Sequence, residues 1–220
     1  MTRKQRIFVL YTGGTIGMSQ SSQGLRPDVA LVNNALRAHV GCGFDGVGDI
    51  AKAKSEIYQG LNADGLALIP CEDANAAVFQ TASKAFKQHT FGVGQGDIHA
   101  ENIVLQPLSC AFDLVRGGER AAVLLPVPGK HNIHNAVAAA ALALAAGLRL
   151  QEVSDGLQSF ANIKGRLQIK SGIKNAVVLD DTYNANPDSM KAALAMFKEY
   201  PCKRRFALLG DMLELGEISP

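Results

Sequence analysis

Short apolar runs alternate along this chain with longer stretches of helical composition, and that rhythm constrains the fold more than any single motif. A strand buried on both faces reads as a continuous apolar run, and a crossover helix joins it to a parallel neighbour. Residues 7–11 (IFVLY) read as such a strand, with a glycine-rich turn at 12–17, and 29–32 and 66–69 read as two more. The stretch 50–61 has helical composition, with Ile50, Ala53, Ile57 and Leu61 along one face, and 74–87 reads as an amphipathic helix. From Thr90 to Val127 the texture changes to short alternating segments around Gly117–Gly118, which predicts antiparallel hairpins. Helices are predicted again at 132–146 and 150–160, then a strand at 176–179, a helix at 187–199 and a strand at 206–209. Pro201 marks a hinge after the last helix. The expected fold is α/β: a mainly parallel central sheet with flanking helices, an antiparallel hairpin extension, and the start of a Rossmann-like C-terminal domain.

Composition removes several function classes. Basic side chains number 22 and acidic ones 20, so the net charge of +2 gives no electrostatic case for nucleic acid. Cys42, Cys71, Cys110 and Cys202 are scattered without a Cys-x-x-Cys pair, which argues against a disulfide framework or a zinc knuckle. The basic start is followed by an apolar run too short for a signal peptide. The apolar stretch 136–148 falls short of the ~20 residues of a membrane span. A cytoplasmic protein without membrane contact is the expectation.

Two glycine motifs invite a phosphate-binding reading. A P-loop needs Gly-x-x-x-x-Gly-Lys-Ser/Thr, with the lysine reaching the β/γ-phosphates. No lysine lies between Gln5 and Lys52, so the glycines at 13, 14 and 17 cannot serve as one. The string TGGTIG at 12–17 instead resembles the active-site turn of bacterial L-asparaginases, which implies Thr12 as a nucleophile. That family's second catalytic block, His-Gly-Thr-Asp-Thr, is not in the chain, and a strand with its turn is the plainer reading. Residues 41–46 formally match Gly-x-Gly-x-x-Gly, but they stand far from the preceding strand, and Gly48 argues against a helix start there. A loop is expected.

A stronger constellation runs through the rest of the chain: RPDVALVNNALRAH at 26–39, IAKAKSEI at 50–57, PGKHNIHNAVAAAALA at 128–143, GRLQ at 165–168, LDDTYNANPDSM at 179–190 and LGDMLELG at 209–216. In order and spacing these strings resemble the Mur ligases, in particular the branch that adds D-alanyl-D-alanine to UDP-N-acetylmuramoyl tripeptide. The resemblance implies ATP and Mg²⁺ as cofactors, with a substrate carboxylate phosphorylated and the acyl phosphate attacked by an amine. It implies that Lys54 is carbamylated and bridges metal ions, with His39 at the second metal. It implies adenine contact by Asn135, nucleotide contact by Arg166 and ribose contact by Asp181. Tyr183, Asn184 and Asn186 would line an interdomain crevice, and Asp211 would belong to the dipeptide-binding domain.

Each residue also has a bland reading. Lys54 can be an exposed helix lysine, Lys52 sits on another face and reads as solvated, and Asn186-Pro187 reads as the start of a helix. Asn132 suits a helix cap, whereas Asn135 sits too far inside the helix for one. His89 and His99 suggest surface positions only. The resemblance divides the chain into 1–25 (asparaginase-like), 26–180 (partial central ATP-binding domain) and 181–220 (start of the C-terminal domain). On that reading the chain is a fusion lacking the Gly-Lys-Thr loop, catalytically inactive, and either monomeric or prone to aggregate through uncovered apolar surface. The alternatives are an asparaginase fragment using Thr12 and a non-catalytic remnant.

Overall fold

The computed structural model describes residues 27–37, 43–161 and 163–212. The proposed strand at 7–11, the turn at 12–17, Thr12, His39 and Cys42 lie outside them. Six strands form one sheet in chain order: β1 (Val29–Leu31), β2 (Leu66–Pro70), β3 (Lys87–Val93), β4 (Ile98–Leu105), β5 (Cys110–Arg116) and β6 (Glu119–Leu125). Strands β1 to β4 run parallel, while β4–β5 and β5–β6 pair antiparallel. The expected α/β architecture, with a parallel body and a hairpin extension, is what the chain adopts.

Strand alternation sorts the side chains into two cores. Val29 and Leu68 face α3 (Lys130–Ala145) and α4 (Leu150–Gln158) and join Phe91, Ile133, Val137 and Leu144 there. Ala30, Val32, Ala67 and Ile69 point the other way, onto α1 (Val47–Ser55), α2 (Ala76–Ala82) and the 3₁₀ turn Glu56–Gly60. The parallel half is therefore covered on both faces, which is why its strands read as unbroken apolar runs. The antiparallel half is covered on one: Phe112, Leu114, Ala121 and Val123 are buried, while Arg120, Ala122 and Leu124, which alternate with Ala121 and Val123 along β6, are exposed. Helix α4 also protects the outer edge of β6, since Ser154 Oγ donates to Ala122 O at 2.6 Å and Leu124 N donates to Gln158 Oε1.

Strand β4 lies parallel to β3 with only residues 94–97 between them, where a dozen or more residues are usual. Glycine makes this return fit. Gly94 and Gly96 sit at φ of 104° and 114°, and a Cβ on Gly92 would stand 2.8 Å from Cys71 Sγ. Asp97 closes the base, accepting from Thr90 N and Thr90 Oγ1, while Glu72 Oε2 accepts from Val93 N.

Residues 165–212 form a smaller unit. Strands β7 (Gln168–Ser171) and β8 (Val177–Asp180) make an antiparallel pair, and α5 (Pro187–Glu199) follows. Asn186 caps α5, accepting from Asp188 N and Ser189 N, with Pro187 at its first position.

Several expectations need correcting. Helix α2 ends at Ala82, so Lys87 begins a strand instead of ending a helix: Ser83 Oγ turns back to Phe79 O, and Lys87 pairs with Leu66. Gly48 lies inside α1, with Gly46 preceding it. Residues 206–209 pair with no strand among the described residues, and Phe206 and Leu208 are exposed. Asn132 does not cap α3; Gly129 holds that place, and Asn132 Nδ2 reaches back to Pro128 O at 2.7 Å. His99 is half-buried, with Nδ1 against Gly96 O and Nε2 against Glu101 Oε1.

Candidate functional site

In an open parallel sheet, backbone and side chains converge outside the carboxyl ends of the strands, and ligands gather there. Strand β1 delivers Asn33 and Asn34 to that edge, β2 delivers Cys71 to Asp73, and the amino-terminal turns of α3 deliver His131, His134 and Asn135.

Lys54 arrives from the last turn of α1. Its ammonium donates to Asn34 O at 2.8 Å and feels the Asp73 carboxylate. Half-buried, it is held below its ordinary pKa by desolvation, with Asp73 opposing. Asp73 does more than face Lys54: Oδ2 accepts from Ala35 N and Oδ1 from Asn75 N, both at 2.7 Å, so one carboxylate ties the tail of β1 to the start of α2. Lys52 points elsewhere, into solvent beside Asp49, as its helical position predicts.

Asn33 joins this corner to α3. Its Nδ2 donates to Asn135 Oδ1 at 2.8 Å, and its backbone carbonyl contacts His134 Nε2 at 2.9 Å. The His134 ring is held against Phe91, centroids 5.5 Å apart. Asn33 Oδ1 is buried and has no hydrogen-bond partner among the described residues. His131, one turn before Asn135, feels the Asp181 carboxylate, which raises its pKa, while surrounding protein lowers it by more. Much of that ring is open to solvent, so the shift carries little energy.

Asp181 and Arg166 come from the smaller unit. Asp181 Oδ1 accepts from Leu167 N at 3.1 Å, and Tyr183 N donates to Gly165 O at 3.0 Å, so the two segments are laced together. The Arg166 guanidinium stacks 4.1 Å over the Tyr183 ring. A further bond joins the smaller unit to the sheet body: Arg37 N donates to Asp188 Oδ2 at 3.2 Å.

Two family models account for most of the chain. One, the Mur ligase middle domain, matches residues 2–143, and the other, the Mur ligase glutamate ligase domain, matches residues 165–219. The chain belongs to the Mur ligase family.

Among Mur ligase relatives, the UDP-N-acetylmuramoyl-tripeptide–D-alanyl-D-alanine ligase of Haemophilus influenzae is 36% identical over 222 residues, taking in 100% of this chain and 48% of its own length. The Escherichia coli protein of the same name is 38% identical over 196 residues, covering 88% of this chain and 43% of its own. This chain thus spans less than half of either relative. MurF from Acinetobacter baumannii superposes with a TM-score of 0.78 at 38% identity, covering 87% of this chain and 42% of that one. The Thermotoga maritima MurF ligase, solved in complex with ADP, shares the fold at a TM-score of 0.75 and 23% identity, over 87% of this chain and 44% of that one.

The Mur ligase match overturns one expectation. The middle-domain model begins at residue 2, and the Haemophilus protein aligns with all of this chain, so an asparaginase-derived segment at 1–25, with Thr12 as nucleophile, has no support.

Of the residues singled out by resemblance, the fold brings Lys54 and Asn135 to one strand edge, joined through Asn33 and Asn34, and Asp181 to the neighbouring His131. Arg166 is on the same lacing as Asp181. Asn186 is occupied as the α5 cap, and Asn184 Oδ1 accepts from Ala185 N. Tyr183 is exposed beneath Arg166, and Asp211 is exposed on an irregular segment. Asn33, Asn34 and Asp73 were not among the expected site residues. The signal was present: an Asn-Asn pair directly after an apolar strand puts polar groups at the edge where an α/β sheet binds ligands.

Proposed function

We propose that this chain holds the nucleotide side of a UDP-N-acetylmuramoyl-tripeptide–D-alanyl-D-alanine ligase, and that its 220 residues bind adenine nucleotide without turning it over. The observation that carries the reading is the linked corner of Lys54, Asn34, Asn33 and Asn135, with His131 and Asp181 beside it. An amide can present a donor to a base edge, a carboxylate can accept from ribose hydroxyls, and a guanidinium suits phosphate oxygens. Asn135, Asp181 and Arg166 take those roles.

Lys54 is the group prepared for chemistry. An amine with a lowered pKa spends more time neutral, and only the neutral amine adds to CO₂ to give a carbamate. Desolvation supplies that bias, and the bond to Asn34 O aims the nitrogen toward the strand edge. The resulting anion is an oxygen ligand of the type magnesium prefers. No three His, Cys, Asp or Glu side chains converge among the described residues. A carbamate on Lys54 would give magnesium an oxygen ligand, with His39 assigned to the second site by the resemblance and water and phosphate completing the coordination. A bound magnesium ion would supply charge neutralisation on the phosphates. What the chain lacks is a Gly-x-x-x-x-Gly-Lys-Ser/Thr sequence to cradle them.

Titration calorimetry with Mg-ADP and Mg-ATP tests the binding half of the reading: saturable heat is expected, lost in Asp181→Asn and Arg166→Ala. Phosphate release from ATP with the tripeptide and D-alanyl-D-alanine present would overturn the inactivity. Carbon NMR under labelled CO₂ is expected to show one carbamate resonance that Lys54→Ala removes.

A further inference from the structure

We infer that Asp73 is the positioning residue of Lys54, and that it acts through the one peptide unit joining Asn34 to Ala35. This rests on the carbamate reading of Lys54 above and deepens it. Asn34 O accepts from Lys54 Nζ at 2.8 Å, and Ala35 N donates to Asp73 Oδ2 at 2.7 Å. That oxygen and that nitrogen belong to the same peptide group. A trans peptide is a rigid plane whose C=O and N–H point opposite ways, so neither end turns without the other. Lys54 and Asp73 therefore grip one plate from its two sides.

The plate has little else to orient it. It lies beyond the paired part of β1, which ends at Leu31, so no ladder bond among the described residues sets its tilt. Asp73 can set it, because its own carboxylate is fixed at the entry to α2. Its Oδ1 accepts from Asn75 N at 2.7 Å and from Asn75 Nδ2 at 3.3 Å. Ala35 is buried, which shields its bond to Asp73 from water.

The tilt of the plate decides what a modified Lys54 presents. When the neutral amine adds to CO₂, the nitrogen lone pair forms the N–C bond and one C=O π pair moves onto oxygen. One N–H proton leaves to solvent. A single hydrogen then stays on nitrogen, and Asn34 O is the acceptor placed to take it. A carbamate is planar for the reason a peptide is, so fixing its N–H fixes the direction of both its oxygens. Asp73 thus aims the carbamate by relay, from carboxylate to peptide plane to carbamate plane. An Asp73 that acted by charge alone would reach Lys54 through space and leave the peptide out.

Hydrogen exchange followed by NMR on the whole chain, under labelled CO₂, tests the relay from both ends. In Asp73→Ala the carbamate carbon signal should persist while its N–H exchanges about fivefold faster, the size of one lost hydrogen bond. Lys54→Met works from the other end, keeping a long side chain and removing the donor. The Ala35 amide should then exchange about fivefold faster, again one hydrogen bond's worth. The Asn75 amide should stay unchanged, because its bond to Asp73 does not pass through the plate. Far-UV circular dichroism and the melting midpoint check that each variant is folded, and Lys54→Met alone carries the test if the alanine variant is not. An unchanged carbamate N–H in Asp73→Ala overturns the role of Asp73, as does an unchanged Ala35 amide in Lys54→Met. Equal quickening of Ala35 and Asn75 overturns it too, since that is general loosening. Loss of the carbamate carbon signal in Asp73→Ala also counts against it, because Asp73 would then govern formation instead of aim. All four outcomes leave the carbamate reading standing. An unsubstituted chain without a carbamate on Lys54 removes that reading, and this role with it.

Discussion

Helices α3 and α5 reach the same secondary structure by opposite means. Helix α3 has no side-chain cap, and Gly129 before it sits at φ 98°, yet Ile133, Val137, Ala140 and Ala141 are at most 1% exposed. Helix α5 has a reciprocal cap, in which Asn186 accepts from Ser189 N and Ser189 Oγ takes the Asn186 N–H, but none of its residues is buried. One helix is held by the sheet it covers, the other by its own ends. The sheet body and the segment 165–212 differ in the same way, since among the described residues β7 and β8 pair only with each other, and a lone two-stranded pair is marginal in water. The comparison separates structure that needs a core from structure that forms without one.

Three measurements would break or sharpen that contrast. Ile133→Ala should have the largest effect, lowering the stability of the sheet body by about 3 kcal/mol through lost burial and the cavity left behind. Urea unfolding followed by the signals of the body reads it, and a loss confined to residues 165–212 would contradict the assignment. Asn186→Ala should cost about 1 kcal/mol, confined to α5. Hydrogen exchange should show faster exchange at Asp188 and Ser189, with β2 and α3 unchanged.

The smallest effect is expected from acid. Lys170 and Thr182 hold the Asp180 carboxyl down to about 2, through hydrogen bonds to the charged form. Because the folded value lies below the unfolded one, this contribution is present above about pH 4 and is lost as pH falls toward 2. Carboxyl resonances of Asp180 should titrate in that range, and the amides of β7 and β8 should broaden with them while β5 and β6 stay sharp.

The same contrast explains how much was legible in the sequence. Helix α5 was read with both bounds correct, because Asn-Pro-Asp-Ser is a local signal that acts wherever it stands. The strand at 206–209 was read from an apolar run alone, and such a run becomes a strand only where a neighbour accepts it. Residues 74–87 carry a helical pattern, but Lys87 and Gln88 are claimed by Leu66 and Ala67 of β2, a long-range pairing that composition does not display. At the site, Lys54, Asn135, Arg166 and Asp181 were named from resemblance. Asn33 and Asp73 owe their importance to bonds across 102 and 38 residues, which no local reading reaches.

The return between β3 and β4 bears on the order in which the sheet assembles. Parallel neighbours ordinarily meet only after a long loop has closed, which makes such pairings slow. Here Phe91 and Ile98 are partners seven positions apart, and β5 and β6 follow as a hairpin chain. Residues 87–125 thus form a contiguous folding block, onto which β2 and then β1 must zip from afar. Pulse-labelled exchange should find β3 to β6 protected before β1, and simultaneous protection of all six strands would refute that sequence of events.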